Sequence, residues 1–192
     1  DKAQKSKLFS KIILVINKKH RKFLKKYKNK NIIIITGGNT RSNSSLIALS
    51  NIKKYNPKNV FIHDAARPDF SNNLLNKLNT ALNKHKAVVP YINSFDSVKM
   101  KNSNKIENIK REKVLFTQTP QCFNYNLILK ILNKNKIINT DECEAAIRSN
   151  YKIKFILGEI NNIKITTTIP KYFKIFYGIG YDIHRLAIGR NF

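Results

Sequence analysis

Acidic residues are scarce in this chain, 11 against 37 lysines and arginines, so a carboxylate set where an apolar stretch ends calls for a reason. Asp64 stands at the end of Val60-Phe61-Ile62-His63 and is followed by Ala65, Ala66, Arg67 and Pro68. A carboxylate there can hold a magnesium ion or accept hydrogen bonds from hydroxyls, and Arg67 offers a fork for phosphate or carboxylate. The same residues would equally make a structural Asp64–Arg67 pair beside a turn. A second stretch, Gly37-Gly38-Asn39-Thr40-Arg41-Ser42-Asn43-Ser44, follows an apolar run. Its glycines permit close backbone approach, and the free N–H groups of a helix start suit an anion or a base edge. The plainer alternative is a turn with Ser44 or Ser45 as N-cap. In a third, Asn161–Thr166, strand alternation would put Asn162, Lys164 and Thr166 on one face. No nucleophilic Ser–His or Cys–His pair is visible.

The elements that must position these groups follow from hydrophobic pattern. Lys11–Asn17 and Asn31–Thr36 are too uniformly apolar for half-exposed strands and are expected to be buried. Asn59–His63 and Ala87–Ile92 are similar, with Pro90 pointing to an edge or a bulge. Leu46–Tyr55 and Asn73–Lys84 carry helical spacing, with Leu74, Leu75, Leu78 and Leu82 along one face. Further helices are expected at Tyr125–Leu132 and Asp141–Arg148, strands at Lys152–Leu157 and Asn162–Thr166, and a short helix at Lys171–Phe176. Strand–helix alternation at this interval predicts an α/β fold, three-layered, with a mostly parallel twisted sheet. Ligands then bind beyond the carboxyl ends of the strands, where the three polar stretches fall. Asn93–Val114, polar and lysine-rich, breaks the rhythm and reads as a loop or a protruding hairpin arm.

The net charge of +26 raises nucleic-acid binding. The lysines are scattered through every segment, however, and the aromatics sit inside apolar runs, which favours a compositional bias and a surface attractive to phosphorylated metabolites. Cys122 and Cys143 lack metal spacing and are expected as buried free thiols in a reducing compartment. Asp1–Lys5 is unlike a signal peptide, and no apolar run approaches the roughly 20 residues that span a bilayer. A soluble, cytoplasmic protein without membrane or nucleic-acid partners is the expectation.

Gly37-Gly38 with Arg41 and Ser44, then His63-Asp64-Ala65-Ala66-Arg67-Pro68, Asp96-Ser97-Val98-Lys99, Gln118-Thr119-Pro120-Gln121, Thr140-Asp141-Glu142 and Asn162-Ile163-Lys164-Ile165-Thr166 occur in one order. In that series the chain resembles the methylerythritol phosphate cytidylyltransferases over residues 10–176. The resemblance implies a nucleotide-diphospho-sugar transferase (Rossmann-like) fold that joins CTP to methylerythritol phosphate, releases pyrophosphate and uses magnesium. It implies nucleotide contacts at Gly38, Asn39, Ser44, Asp64 and Ala65, with Asn39 where the family often has Asp. Asp64 would lie by the metal, Arg67 close to it, and His63 would pack beneath the site. Lys164 would hold the reacting phosphates, while Ser97, Thr119, Thr140 and Thr166 would face the methylerythritol phosphate. The Asn93–Val114 arm would embrace a second subunit and bring Arg111 over its substrate, making a homodimer with composite sites.

The family's opening strand and its glycine-rich loop with two cations have no counterpart here. The expectation is therefore a fragment with its central first strand missing and little or no turnover. Residues 1–176 would be the truncated cytidylyltransferase domain. Residues 177–192, with Gly178-Ile179-Gly180-Tyr181-Asp182-Ile183-His184, resemble the start of a cyclodiphosphate synthase, which implies Asp182 and His184 as ligands of a divalent metal such as zinc. Two other readings stand beside this one: a nucleotidyltransferase for another sugar or polyol phosphate, and a basic nucleic-acid-binding module.

Overall fold

The computed structural model describes residues 2–20, 31–103, 105–134 and 141–166. After a short helix α1 (Lys2–Lys5), strands β1 (Ile12–Ile16) and β2 (Ile32–Thr36) pair in parallel, and helix α2 (Arg41–Ile52) follows. Then come β3 (Asn59–Ile62), α3 (Asn72–Leu82), β4 (Ala87–Asn93) and the hairpin β5 (Val98–Asn102)–β6 (Lys105–Ile109). The chain closes the described fold with β7 (Leu115–Thr117), β8 (Gln121–Asn124), α4 (Tyr125–Lys134), α5 (Glu142–Arg148) and β9 (Lys154–Leu157).

The main sheet runs β3-β8-β4-β7, with β9 also on β4. It is mixed: β9 lies parallel to β4, whereas β8 enters antiparallel between β3 and β4. Both β7 and β8, separated only by Gln118-Thr119-Pro120, run antiparallel to β4, because the chain leaves β4 through the β5–β6 hairpin and returns alongside it. The expected predominance of parallel pairing is corrected accordingly, while the α/β class holds. The β1–β2 pair forms a sheet of its own. None of its residues is fully buried, contrary to the expectation from their apolar runs, because the pair is not joined to the main sheet in the described residues.

Period-2 alternation sorts the core into two layers. Ala87 and Val89 of β4 and Phe123 of β8 face α2, α4 and α5, packing with Leu49, Ile128, Ile131 and Ala146. Val88 and Cys122 face the opposite side and meet Leu74, Leu75, Leu78 and Leu82 of α3. The four leucines share one helical face and are almost fully buried, worth roughly 1.5–3 kcal/mol each as an upper estimate. Helices thus cover both faces of the sheet, the three-layer arrangement expected.

Pro90 lies within central strand β4, not at an edge. Its backbone faces the side where β8 pairs only as far as Val88 and β7 begins only at Tyr91. The missing N–H falls in that gap, and the Pro90 carbonyl accepts from Gln118 N–H at 2.8 Å. The Asn93–Val114 arm is a two-stranded hairpin followed by a single helical turn at Arg111–Lys113. Among the described residues no helix is long and apolar enough to cross a membrane.

Candidate active site at the strand ends

The turn after β3 places Asp64 where three other segments converge. Arg67 N–H closes the turn on the Asp64 carbonyl at 2.9 Å. The carboxylate itself does not pair with Arg67. Its Oδ2 meets Lys164 Nζ at 2.9 Å and its Oδ1 meets Arg41 Nε at 3.2 Å. Burial pushes this carboxyl up, but Lys164 and Arg41 overcome that and hold it below the usual aspartate value. Lys164 keeps 45% of its side chain exposed, against 17% for Asp64. The ammonium therefore remains free to turn toward an incoming anion.

Arg41 arrives from the first turn of α2, which is capped by Thr40, its hydroxyl accepting from Asn43 N–H at 3.1 Å. Neither Ser44 nor Ser45 is the cap. Ser44 instead accepts from Gly38 N–H at 3.1 Å and donates to the Thr40 carbonyl at 2.8 Å, closing the glycine loop onto the helix. A Cβ at Gly37 would lie 2.7 Å from that hydroxyl, so the tight approach requires glycine there. Arg41 continues inward to Glu142 on α5, Nη1 to Oε2 at 2.7 Å. Burial lowers the tendency of Arg41 to stay charged; Glu142 first and Asp64 second reverse this and raise its pKa.

Lys164 is delivered by a knot of buried amides in place of the expected strand at Asn162–Thr166, which is irregular backbone. Gln118 donates to the Glu159 carbonyl at 2.7 Å and accepts from Glu159 N–H at 3.1 Å. Asn162, fully buried, donates to the Thr119 carbonyl at 2.8 Å, and its own carbonyl accepts from Arg67 Nη1 at 2.7 Å. Ile165 N–H reaches the Ala66 carbonyl at 2.9 Å. These bonds occupy Asn162 in the interior, so it shares no face with Lys164. A Cβ on Gly158 would come within 2.3 Å of the Gln118 amide oxygen, which ties the glycine to the knot.

Thr119 is buried and its hydroxyl joins the Asp64 turn to the imidazole beneath it. His63 Nε2 lies 2.9 Å from the Arg67 carbonyl, which can only accept, so Nε2 carries the proton. Nδ1 then accepts from the Thr119 hydroxyl at 3.0 Å, and the hydroxyl oxygen accepts from Asp64 N–H at 3.0 Å. Burial lowers the His63 pKa and favours this neutral form. His63 does pack beneath the rim, edge-on to Phe70 with ring centroids 4.6 Å apart.

A family model for 2-C-methyl-D-erythritol 4-phosphate cytidylyltransferase (IspD) matches residues 1–171. The chain belongs to that family. A bifunctional enzyme IspD/IspF of Pelagibacter ubique is 49% identical over 97% of this chain and 51% of its own length. A 2-C-methyl-D-erythritol 4-phosphate cytidylyltransferase of Thermosipho melanesiensis is 36% identical over 84% of this chain and 75% of its own. Among solved structures, the 4-diphosphocytidyl-2C-methyl-D-erythritol synthase of Anaerococcus prevotii superposes with a TM-score of 0.80 at 32% identity, covering 87% of this chain and 78% of that one. The bifunctional IspDF of Campylobacter jejuni does so with a TM-score of 0.74 at 32% identity, over 86% and 42%. The chain spans about half the length of the bifunctional relatives it matches.

Of the residues singled out from the sequence, the fold brings together Gly38 and Ser44, through α2 and Arg41, with Asp64, Arg67, Thr119 and Lys164. Ala65 and Asn39 are exposed beside them in the sequence, and Thr166 is exposed next to the anchored Ile165. Ser97 and Arg111 are on the arm, where Ser97 accepts from Lys99 at 2.9 Å and Arg111 donates to the Phe95 carbonyl at 2.9 Å. Thr140, Asp182 and His184, the expected helix at 171–176 and the start at 177–192 lie outside the described residues. Arg41 as a partner of Asp64, and Glu142 behind it, were not foreseen. The available signal was Arg41 itself, basic and one residue past the glycine loop's cap.

Proposed function

We propose that this chain is the cytidylyltransferase part of an enzyme that transfers CMP from CTP to 2-C-methyl-D-erythritol 4-phosphate. A phosphate oxygen of the acceptor attacks the α-phosphorus of CTP. The new P–O bond forms as the α–β bridge breaks, and pyrophosphate leaves. Two anions must meet, so alignment and positive charge carry most of the rate. The observation that supports this best is Asp64 held between Arg41 and Lys164 at the strand ends, beside the glycine loop. Lys164 turns from Asp64 to the reacting phosphates. Gly38, Asn39, Ser44 and Ala65 hold the nucleoside, while Arg67, Thr119, Thr140 and Thr166 shape the acceptor side.

Among the described residues no group of three or more metal-binding side chains exists. One carboxylate at the rim still suits magnesium, which keeps few protein ligands and takes the rest from substrate phosphates and water. Asp64 would be that ligand, and the ion would supply charge to the triphosphate. A second copy embraced by the 93–114 arm would receive Ser97 and Arg111 at its acceptor site. The match of 97% of the chain to a bifunctional relative supports a fused cyclodiphosphate synthase from residue 177, with Asp182 and His184 among its divalent-metal ligands.

The test, made on the enzyme of which this chain is part because the chain by itself is expected to turn over little, is thermal melting with CTP, followed by pyrophosphate release with and without methylerythritol phosphate. CTP raises the melting temperature, and release depends on the acceptor. Lys164→Ala abolishes the CTP shift and lowers kcat by roughly 10²–10³-fold. Salt-sensitive retention on generic DNA with no response to CTP would instead favour a nucleic-acid-binding module.

A further inference from the structure

Glu142 is charged yet only 1% exposed, at the first turn of α5 and behind the open rim. Among the described residues its partners both come from α2: Arg41, with Nη1 2.7 Å from Oε2, and the Ser45 hydroxyl, which donates to Oε1 at 2.7 Å. Among the described residues Nη1 and Oε2 have no partner besides each other, and ionic attraction holds them. Arg41 then reaches Asp64 through Nε alone, at a long 3.2 Å. An arginine and a carboxylate left to themselves favour two parallel bonds.

We infer that Glu142 is a positioning residue for the proposed transfer: by gripping Nη1 it fixes the guanidinium, so that the Nε–Nη2 edge of Arg41 does not turn onto Asp64 as a two-pronged fork, and Asp64 Oδ2 is left to Lys164. This rests on the reading of the rim as a phosphate-handling site. The two cations Arg41 and Lys164 balance the two carboxylates Asp64 and Glu142. Removing the charge of Glu142 therefore has two consequences of opposite sign. The rim gains one positive charge, which attracts a triphosphate more strongly. Arg41 also swings onto Asp64 and displaces Lys164, so the lysine is no longer poised for the reacting phosphates. A residue that merely packed α5 against α2 would weaken binding and turnover together.

Glu142→Gln separates these cases. Arg41, with 31% of its side chain exposed, keeps Asp64 and water as partners, so the variant is not left with a buried unpaired cation. Melting temperature, CTP affinity by calorimetry and steady-state pyrophosphate release are measured on the same preparation of the whole enzyme. The expected result is CTP binding tighter by about fivefold, as for one unit charge several ångströms away in a partly solvated site, with kcat at least tenfold lower. Unchanged values, or affinity and kcat falling together with melting temperature, would overturn the assignment. Should Glu142→Gln yield no folded protein, Glu142→Asp takes its place, keeping the charge one methylene shorter. The rim charge is then unchanged while the grip on Nη1 is broken, so CTP affinity is expected to hold while kcat falls; affinity and kcat falling together, or both unchanged, overturns it. A wild-type protein that binds CTP without releasing pyrophosphate would count against the transfer reading alone, because the Glu142-dependent affinity is read without turnover.

Discussion

The strand-end rim and the β5–β6 arm are both polar, yet they satisfy their charges in opposite ways. At the rim Arg41, Asp64, Glu142 and Lys164 come from four separate segments, and their pairings span 23 residues or more. On the arm Lys99 meets Ser97 and Asn108, and Arg111 meets Phe95 and Glu112, all within the same excursion. The arm also leaves Ile106 73% and Phe95 69% exposed, while beneath the rim Gln118, Thr119 and Asn162 are buried. The rim geometry is therefore held by the tertiary fold and fails with it. The arm folds on local pairing and can be altered without disturbing the sheet.

The largest effect that would break this contrast is at the amide knot. Gln118→Ala strips Glu159 and Asn162 of buried partners and should cost about 3 kcal/mol in urea unfolding. A cost below about 1 kcal/mol would mean that the rim does not depend on the knot. A kinetic measurement sharpens the interior side. Burial pushes the Cys143 thiol up to about 12, with nearby Asp141 adding to it, and raises Cys122 well above its ordinary value. Both thiols stay protonated at pH 8, so a thiol reagent should label the native protein at least ~100-fold more slowly than the urea-unfolded chain. Rapid native labelling would show the core layers opening. The smallest effect belongs to the arm: Ile106→Ser should change the unfolding free energy of a dilute, monomeric sample by less than ~0.5 kcal/mol. If the arm covers a second copy as proposed, the same variant shifts sedimentation toward monomer.

Sequence pattern went furthest where one element answers to one physical rule. The leucines of α3 declare a buried face by spacing alone, and the polar residues of 93–114 declare an arm because no apolar stripe could bury it. Asp64 at the end of an apolar run marked the rim, since a carboxylate there must find cations or hydroxyls. Pattern failed where a partner distant in sequence decided the outcome. Gln121–Asn124 is too short to announce a strand, and it runs antiparallel between β3 and β4 because the chain that leaves β4 through the arm returns alongside it. Asn162–Thr166 alternates like a strand, but the buried amides of Gln118 and Asn162 claim its backbone first.

Residue types and their order were enough to mark a polar rim at the strand ends and to place Asp64 and Lys164 on it. Only the folded chain decided that Asp64 shares its two oxygens between Lys164 and Arg41, and that Arg41 is anchored from behind. A glutamate in the first turn of a helix is ordinary for the helix dipole whether it faces water or the interior. Packing α5 on α4, in the core layer it shares with α2, excludes that water and turns Glu142 from a surface acid into a fixed charge.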